Sequence, residues 1–254
     1  MARARIRQKH VPRVFVAQPL AVDTTIELND TKHHHLTTVL RLSAGAQLVV
    51  FNGDGAEYSA VIDTASRKTL TVRVDARHTP DRESALDVTL IQAVARGDRM
   101  DFALAKAVEL GVTRIQPIFT ERGQVKLDGE RLAKKQEHWQ AVVESAAEQS
   151  GRLICPTIDD ACDVSELLAR PLSGDGSALL MLAPTAATTL SALAPSQRAS
   201  LLIGPESGLS IEEIERARDV GWHALTLGPR ILRTETAGMA ALAALQTLWG
   251  DLAG

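Results

Sequence analysis

Two glycine-bearing loops, LLIGPESGLS (Leu201 to Ser210) and LGPRILRTETA (Leu227 to Ala237), each follow an apolar run and each open onto a helical pattern. Gly204, Gly208 and Gly228 stand where a strand hands over to a helix. Without side chains at those points, backbone N–H and C=O groups can approach a ligand closely. Helix starts beside such loops add unpaired N–H donors. The pair reads as a nucleotide-shaped pocket. Neither loop carries the glycine spacing of a dinucleotide fingerprint or a P-loop, so a metabolic enzyme using an adenine dinucleotide loses its main support.

GPESGLS followed by LGPRILRTETA resembles the RsmE family of SPOUT methyltransferases. The resemblance covers nearly the whole chain, through VPRVFV (Val11 to Val16), VLRL (Val39 to Leu42), ELGVTRI (Glu109 to Ile115), ERGQVKL (Glu121 to Leu127) and EQSGR (Glu148 to Arg152). It implies S-adenosylmethionine-dependent methylation of N3 of a specific uridine in small-subunit (16S) ribosomal RNA. It also implies a fold: a smaller PUA-like β-barrel at the N-terminus and a C-terminal SPOUT methyltransferase domain of the α/β class, with a parallel sheet and a deep trefoil knot. Knots are rare enough that no periodicity would suggest one. Pairing of the family's subunits through helices near the C-terminus implies a homodimer, and the substrate implied is ribosomal RNA in the assembled 30S subunit.

The family's pocket holds the adenine mainly through backbone groups and apolar walls. By resemblance this places Leu182, Ala183, Gly204, Pro205, Glu206, Gly208, Leu227, Gly228, Ile231, Leu232 and Thr234 around the cofactor. Ordinary core packing is the competing account of the leucines and the isoleucine. A sulfonium methyl is already activated, so transfer needs in-line positioning more than strong acid or base chemistry, and no metal is implied. Uracil N3 carries a proton, so attack calls for a base, a cation, or both. Arg233 and Glu235, in the RTETA segment, are the polar residues placed for it. Competing accounts are an Arg233–Glu235 ion pair, or a capping role for Thr234 and Glu235. Which group removes the proton stays open at this level.

The chain departs from the family twice. Its glycine loop usually reads G-P-E-G-G, and Ser207 stands where a glycine would be. If that position needs φ > 0, the serine costs about 1 kcal/mol of strain. The family often has an arginine before V-L-R, and Thr38 replaces it.

Net charge is −3, yet residues 1–80 carry 11 Lys and Arg against 7 Asp and Glu, whereas residues 81–254 carry 17 against 24. Arg3, Arg5, Arg7, Lys9 and Arg13 have no acidic residue among them, which suits a phosphate backbone. Arg41, Arg96, Arg122 and Arg152 fall in or near the family-like segments, and arginine's planar fork suits phosphate and base edges. As a group these arginines are expected to line a cleft between barrel and catalytic domain. The adjacent His33, His34 and His35 point in different directions on a helix and cannot converge on a metal. Cys155 and Cys162 are too few for a disulfide framework and read as buried or idle thiols.

A chain of 254 residues with 45% hydrophobic residues supports one large domain or two modest ones. No apolar run approaches the roughly 20 residues of a membrane span, and the basic start lacks a signal peptide's apolar stretch, so a cytoplasmic, non-membrane protein is expected. Up to about residue 76 the pattern is short strands (RVFV, TTIEL, QLVVFN, YSAVID, TLTVRV) with NGDG as a hairpin turn. A helix near residues 32–41, capped by Asn29, Asp30 or Thr31, interrupts them. The polar stretch RHTPDRES marks the boundary, giving domains at 1–78 and 79–254. Beyond it, VTLIQAVA, RIQPIF, ALLMLAP, SLLIGPE and HALTLGP read as strands, the last three as buried parallel ones, alternating with helices near 100–110, 131–149, 211–220 and 236–249. The last is Ala-rich and suited to close packing, in the core or against a second subunit. A function from another class, a non-catalytic RNA-binding or assembly factor on the same fold, is opposed by the intact GPE and RILRTETA loops.

Overall fold

The computed structural model describes residues 11–170 and 176–253. The chain divides into two compact units, one comprising residues up to Arg82 together with Gly151–Ile154, the other Glu83–Ser150 and Cys155 onward.

The first unit is built on a five-stranded sheet of β1 (Arg13–Phe15), β2 (Thr25–Glu27), β3 (Gln47–Phe51), β4 (Glu57–Ala65) and β5 (Leu70–His78), in the order β1-β3-β4-β5-β2. Apart from the parallel β1–β3 pair, neighbours run antiparallel. Alternation along β4 and β5 turns Tyr58, Ala60, Ile62, Val72 and Val74 inward, onto Val14, Leu48 and Val50. NGDG forms the β3–β4 turn: Asp54 N donates to Asn52 Oδ1, Ala56 N donates to Asp54 Oδ1, and Gly53 and Gly55 take the positive φ that the turn needs.

The helix expected over residues 32–41 is shorter and wider. Asn29 caps α1 (Asp30–His34), its side chain accepting from Lys32 N at 3.0 Å. The chain then opens into a π turn, His35–Val39, with Leu40 N on His35 O. That turn buries Leu36 while leaving Val39 and Leu40 exposed. Arg41 follows with φ of 55°.

In the second unit β6 (Asp87–Ala93), α2 (Asp98–Glu109), β7 (Arg114–Phe119) and α3 (Gly129–Ser150) come first. After the short β8 (Thr157–Ile158), β9 (Cys162–Asp163) and α4 (Val164–Leu168) come β10 (Ala178–Leu182), β11 (Thr188–Thr189), β12 (Arg198–Ile203), α5 (Ile211–Asp219), β13 (His223–Thr226) and α6 (Thr234–Trp249). The sheet order is β11-β13-β10-β12-β6-β7-β8, with β9 also on β7, and every pairing is parallel. Strands covered on both faces need continuous apolar runs, which is why β10 and β12 read ALLML and SLLI. Thr234, Gly238, Ala241, Leu242, Leu245 and Gln246 form the buried stripe of α6. Each fully buried leucine there contributes about 2 kcal/mol. The short β8, β9, β11 and α4 had no periodicity to reveal them.

Candidate cofactor and reaction site

The central strands β13, β10 and β12 lie side by side and parallel, so the loops leaving their C-terminal ends converge. Loops after strands 10, 12 and 13 enclose a cavity of about 450 Å³. Its walls are largely Leu182, Ile203, Leu209, Leu225, Leu227 and Leu232, broken by the peptide groups of Gly204 to Gly208. That volume lies in the range of about 300–1,000 Å³ usual for small-molecule sites. Of the eleven residues expected at the cofactor, all but Gly228 line it; Gly228 instead supplies a φ of 96° in the loop after β13. Gly204 sits in close quarters: a Cβ there would lie 3.1 Å from both Leu209 N and Leu209 Cγ, so the loop would have to give by a few tenths of an ångström.

Ser207 is not strained. The left-handed backbone falls one residue later, at Gly208 with φ of 74°, so the serine needs no φ > 0. Its hydroxyl donates to Arg122 O at 2.7 Å and holds the loop after β7 against the glycine loop. The same β7 loop is gripped by Glu213, which is 7% exposed: Oε1 accepts from Glu121 N and Oε2 from Ser210 N, each at 2.8 Å. Ser210 Oγ in turn accepts from Glu213 N at 3.1 Å, completing a capping box at the start of α5. Arg122, expected on RNA, is thereby placed at the cavity edge with Nη1 directed at Leu209 O. Glu206 at the rim pairs with Arg99 at 2.8 Å.

Thr234 reaches the cavity wall with its hydroxyl already committed, donating to Gly204 O at 2.7 Å and accepting from Gln92 Nε2 at 2.9 Å. Arg233 and Glu235 face a second, open concavity, which shares Ile231 and Leu232 with the first and adds Asp98, Arg99, Phe102 and Met239. The two do not form an ion pair. Arg233 is the N-cap residue of α6 but its side chain makes no capping bond, and Glu235 Oε2 is shielded from solvent without a hydrogen-bond partner.

The remaining arginines separate by environment. Arg41 and Arg96 are exposed. Arg13 is drawn inward: its side chain, 11% exposed, pairs with Glu57, donates to Arg152 O at 2.7 Å and lies 4.9 Å over the Phe51 ring. Arg152 is buried at 5%. Arg13 is committed to partners inside the first unit and Arg152 is buried, in contrast to the exposed Arg41 and Arg96. Arg3, Arg5, Arg7 and Lys9 lie outside the described residues. His33 Nε2 bonds Ser66 O at 2.9 Å. Among the described residues no His, Cys, Asp and Glu group converges as a metal site, and no helix is long and apolar enough to cross a membrane.

Parallel strands delivering glycine loops to one apolar, peptide-lined cavity define an α/β cofactor-binding protein. Comparison with known proteins sharpens that class. Residues 82–246 match the RNA methyltransferase domain, and residues 28–75 match the RNA methyltransferase PUA domain. The Neisseria gonorrhoeae ribosomal RNA small subunit methyltransferase E, solved with bound S-adenosylmethionine, is 39% identical with a TM-score of 0.89, covering 96% of this chain and 100% of that one. A Legionella pneumophila methyltransferase structure with the cofactor bound gives 36% identity and a TM-score of 0.91, with coverage of 95% and 99%. Among curated sequences, the ribosomal RNA small subunit methyltransferase E of Buchnera aphidicola from Schizaphis graminum is 32% identical across 96% of this chain and 99% of its own. The chain belongs to the ribosomal RNA small subunit methyltransferase E family.

Proposed function

We propose that this chain transfers the methyl group of S-adenosylmethionine to N3 of a specific uridine in small-subunit (16S) ribosomal RNA. The observation that carries the reading is the convergence of the loops after β10, β12 and β13 on one apolar, peptide-lined cavity, beside which stand an uncommitted arginine and a carboxylate. The donor set fits the cofactor: leucine and isoleucine walls for adenine, and backbone groups of residues 204–208 for its polar edges. When bound, the cofactor supplies an activated sulfonium methyl. The protein's task is then to orient the uracil and manage one proton. Arg233 binds a uracil oxygen as negative charge develops, and the Glu235 carboxylate, at the same open concavity, accepts the N3 proton. Ser207 and Glu213 keep the β7 loop against the cavity.

In this reading residues 1–78 form a PUA-like barrel with a basic arm, and residues 79–254 form a trefoil-knotted SPOUT domain; the family matches over residues 28–75 and 82–246 support the division. Phosphate contact falls to the exposed Arg41 and Arg96, to Arg122, and to Arg3, Arg5, Arg7 and Lys9. The working form is a cytoplasmic homodimer acting on the assembled 30S subunit; the exposure of Phe102 on α2 and Leu248 on α6 supports pairing through these helices, and light scattering tests it. The function is tested by incubating labelled S-adenosylmethionine with small subunits lacking the modification and identifying the product nucleoside by mass spectrometry. Appearance of 3-methyluridine is expected. No incorporation despite intact donor binding overturns the reading.

A further inference from the structure

Gln92 lies at the end of β6, is fully buried, and lines neither concavity. In register it faces Ile203, the residue before Gly204. Its Nε2 donates to Ala93 O at 3.1 Å and to Thr234 Oγ1 at 2.9 Å, and Thr234 Oγ1 in turn donates to Gly204 O at 2.7 Å. The direction is determined throughout: an amide N–H can only donate, so the threonine must accept there and spend its single proton on the glycine carbonyl. The first turns of α6 cover this amide, a Cβ on Gly238 falling at contact distance, 3.4 Å, from Gln92 Oε1.

The two ends of the relay are unequally secured. The glycine loop has other anchors: Gly208 N on Pro205 O, Ser207 on Arg122 O, and the Ser210–Glu213 box. At the start of α6 the cap residue Arg233 contributes no side-chain bond, so the hydroxyl of Thr234 is the side-chain hydrogen bond that fixes the turn carrying Arg233 and Glu235.

We propose that Gln92 is a positioning residue for methyl transfer, acting through Thr234 to set the first turn of α6, and with it Arg233 and Glu235, relative to the cofactor loop. The inference rests on the methyltransferase reading above. Loss of the relay loosens the reacting side more than the cofactor side. Gln92→Leu and Thr234→Val, which keep volume but remove the bond, should each lower kcat by about tenfold, and in Gln92→Leu, whose residue lines neither concavity, the Kd for S-adenosylmethionine should change less than about threefold. Combining them should cost little more than the worse single variant, because they break one chain of bonds. Thr234→Ser, which keeps the hydroxyl, should restore kcat to within about threefold of the unsubstituted protein.

The experiment measures single-turnover methylation of small subunits and, separately, cofactor binding by calorimetry, each on protein confirmed folded by circular dichroism. Parallel loss of kcat and cofactor affinity in Gln92→Leu, additive effects in the double variant, or failure of Thr234→Ser to rescue would each overturn the proposal. Wild-type protein that binds no cofactor or methylates no RNA would instead strike the functional reading, a result visible before any variant is made.

Discussion

Glu213 is the carboxylate on which two separate loops depend, and its removal has a magnitude that the geometry sets. Its two oxygens each accept one backbone N–H, from Ser210 at the head of α5 and from Glu121 in the β7 loop, and the residue is 7% exposed. Hydrogen bonds to charged acceptors contribute about 1.5–3 kcal/mol each, and a carboxylate in a first helical turn adds a few tenths more. Glu213→Ala strands both donors and should cost about 3–5 kcal/mol. Glu213→Gln keeps one acceptor and turns an amide N–H toward the other donor, so about 2 kcal/mol is expected. Ser210→Ala removes only the bond from Glu213 N, for about 1 kcal/mol. For a protein of this size each kcal/mol moves Tm by about 2–4 °C, so Gln should lower it by about 4–8 °C and Ala by more. The assay is thermal denaturation by circular dichroism, with and without S-adenosylmethionine; the Glu213 variants should also lose part of the cofactor's stabilisation, since Arg122 at the cavity edge loses an anchor. The reasoning is refuted if Ser210→Ala destabilises as much as Glu213→Ala, because the β7 loop would then gain nothing from the carboxylate.

Gly208→Ala places a Cβ at φ of 74° in open space, so backbone strain of about 1–2 kcal/mol should appear without any clash; cofactor affinity measured by calorimetry should fall about three- to tenfold, and an unchanged affinity would show that the loop relaxes freely. Arg13→Ala, breaking a largely buried pair that Arg82 only partly replaces, should cost about 2–3 kcal/mol of stability, read from denaturant unfolding. It should leave the salt dependence of RNA binding intact, whereas Arg41→Ala should leave stability alone and reduce the log–log salt slope by about 1, read in filter binding. Tyr58 is the single tyrosine, and burial first, then its bond to Asp54, push its phenol pKa up against the opposing effect of Arg77. Its phenolate absorbance should therefore rise at a pH above the ordinary value of about 10. Cys162 is shifted the same way by burial. Because the unfolded chain releases these protons first, stability should decline as pH climbs through the ordinary thiol and phenol ranges; a flat alkaline stability curve would contradict both shifts.

Strong periodicity was legible directly from the residues. The apolar runs of β10 and β12 announced a buried parallel sheet, and the alternation of β4 and β5 with the NGDG turn announced a hairpin. The cavity walls were named through the family resemblance carried by the two glycine loops, and ten of the eleven residues so named line the cavity. What the sequence by itself determined was therefore the local patterns and the loops that could hold a cofactor.

Only the tertiary structure decided which charges were free. Arg13 and Arg41 are equally basic as letters, yet one is folded under Glu57 and Phe51 and the other is exposed, because burial depends on partners 38 to 139 residues distant. The position of left-handed backbone, at Gly208 and not at Ser207, was likewise a property of how the loop meets Arg122 O. The joining of Gln92 to Thr234 across 142 residues has no local signature at all. Hydrogen bonds between distant strands are chosen by the geometry that brings them together, and a one-dimensional pattern carries only the residues, not their meeting.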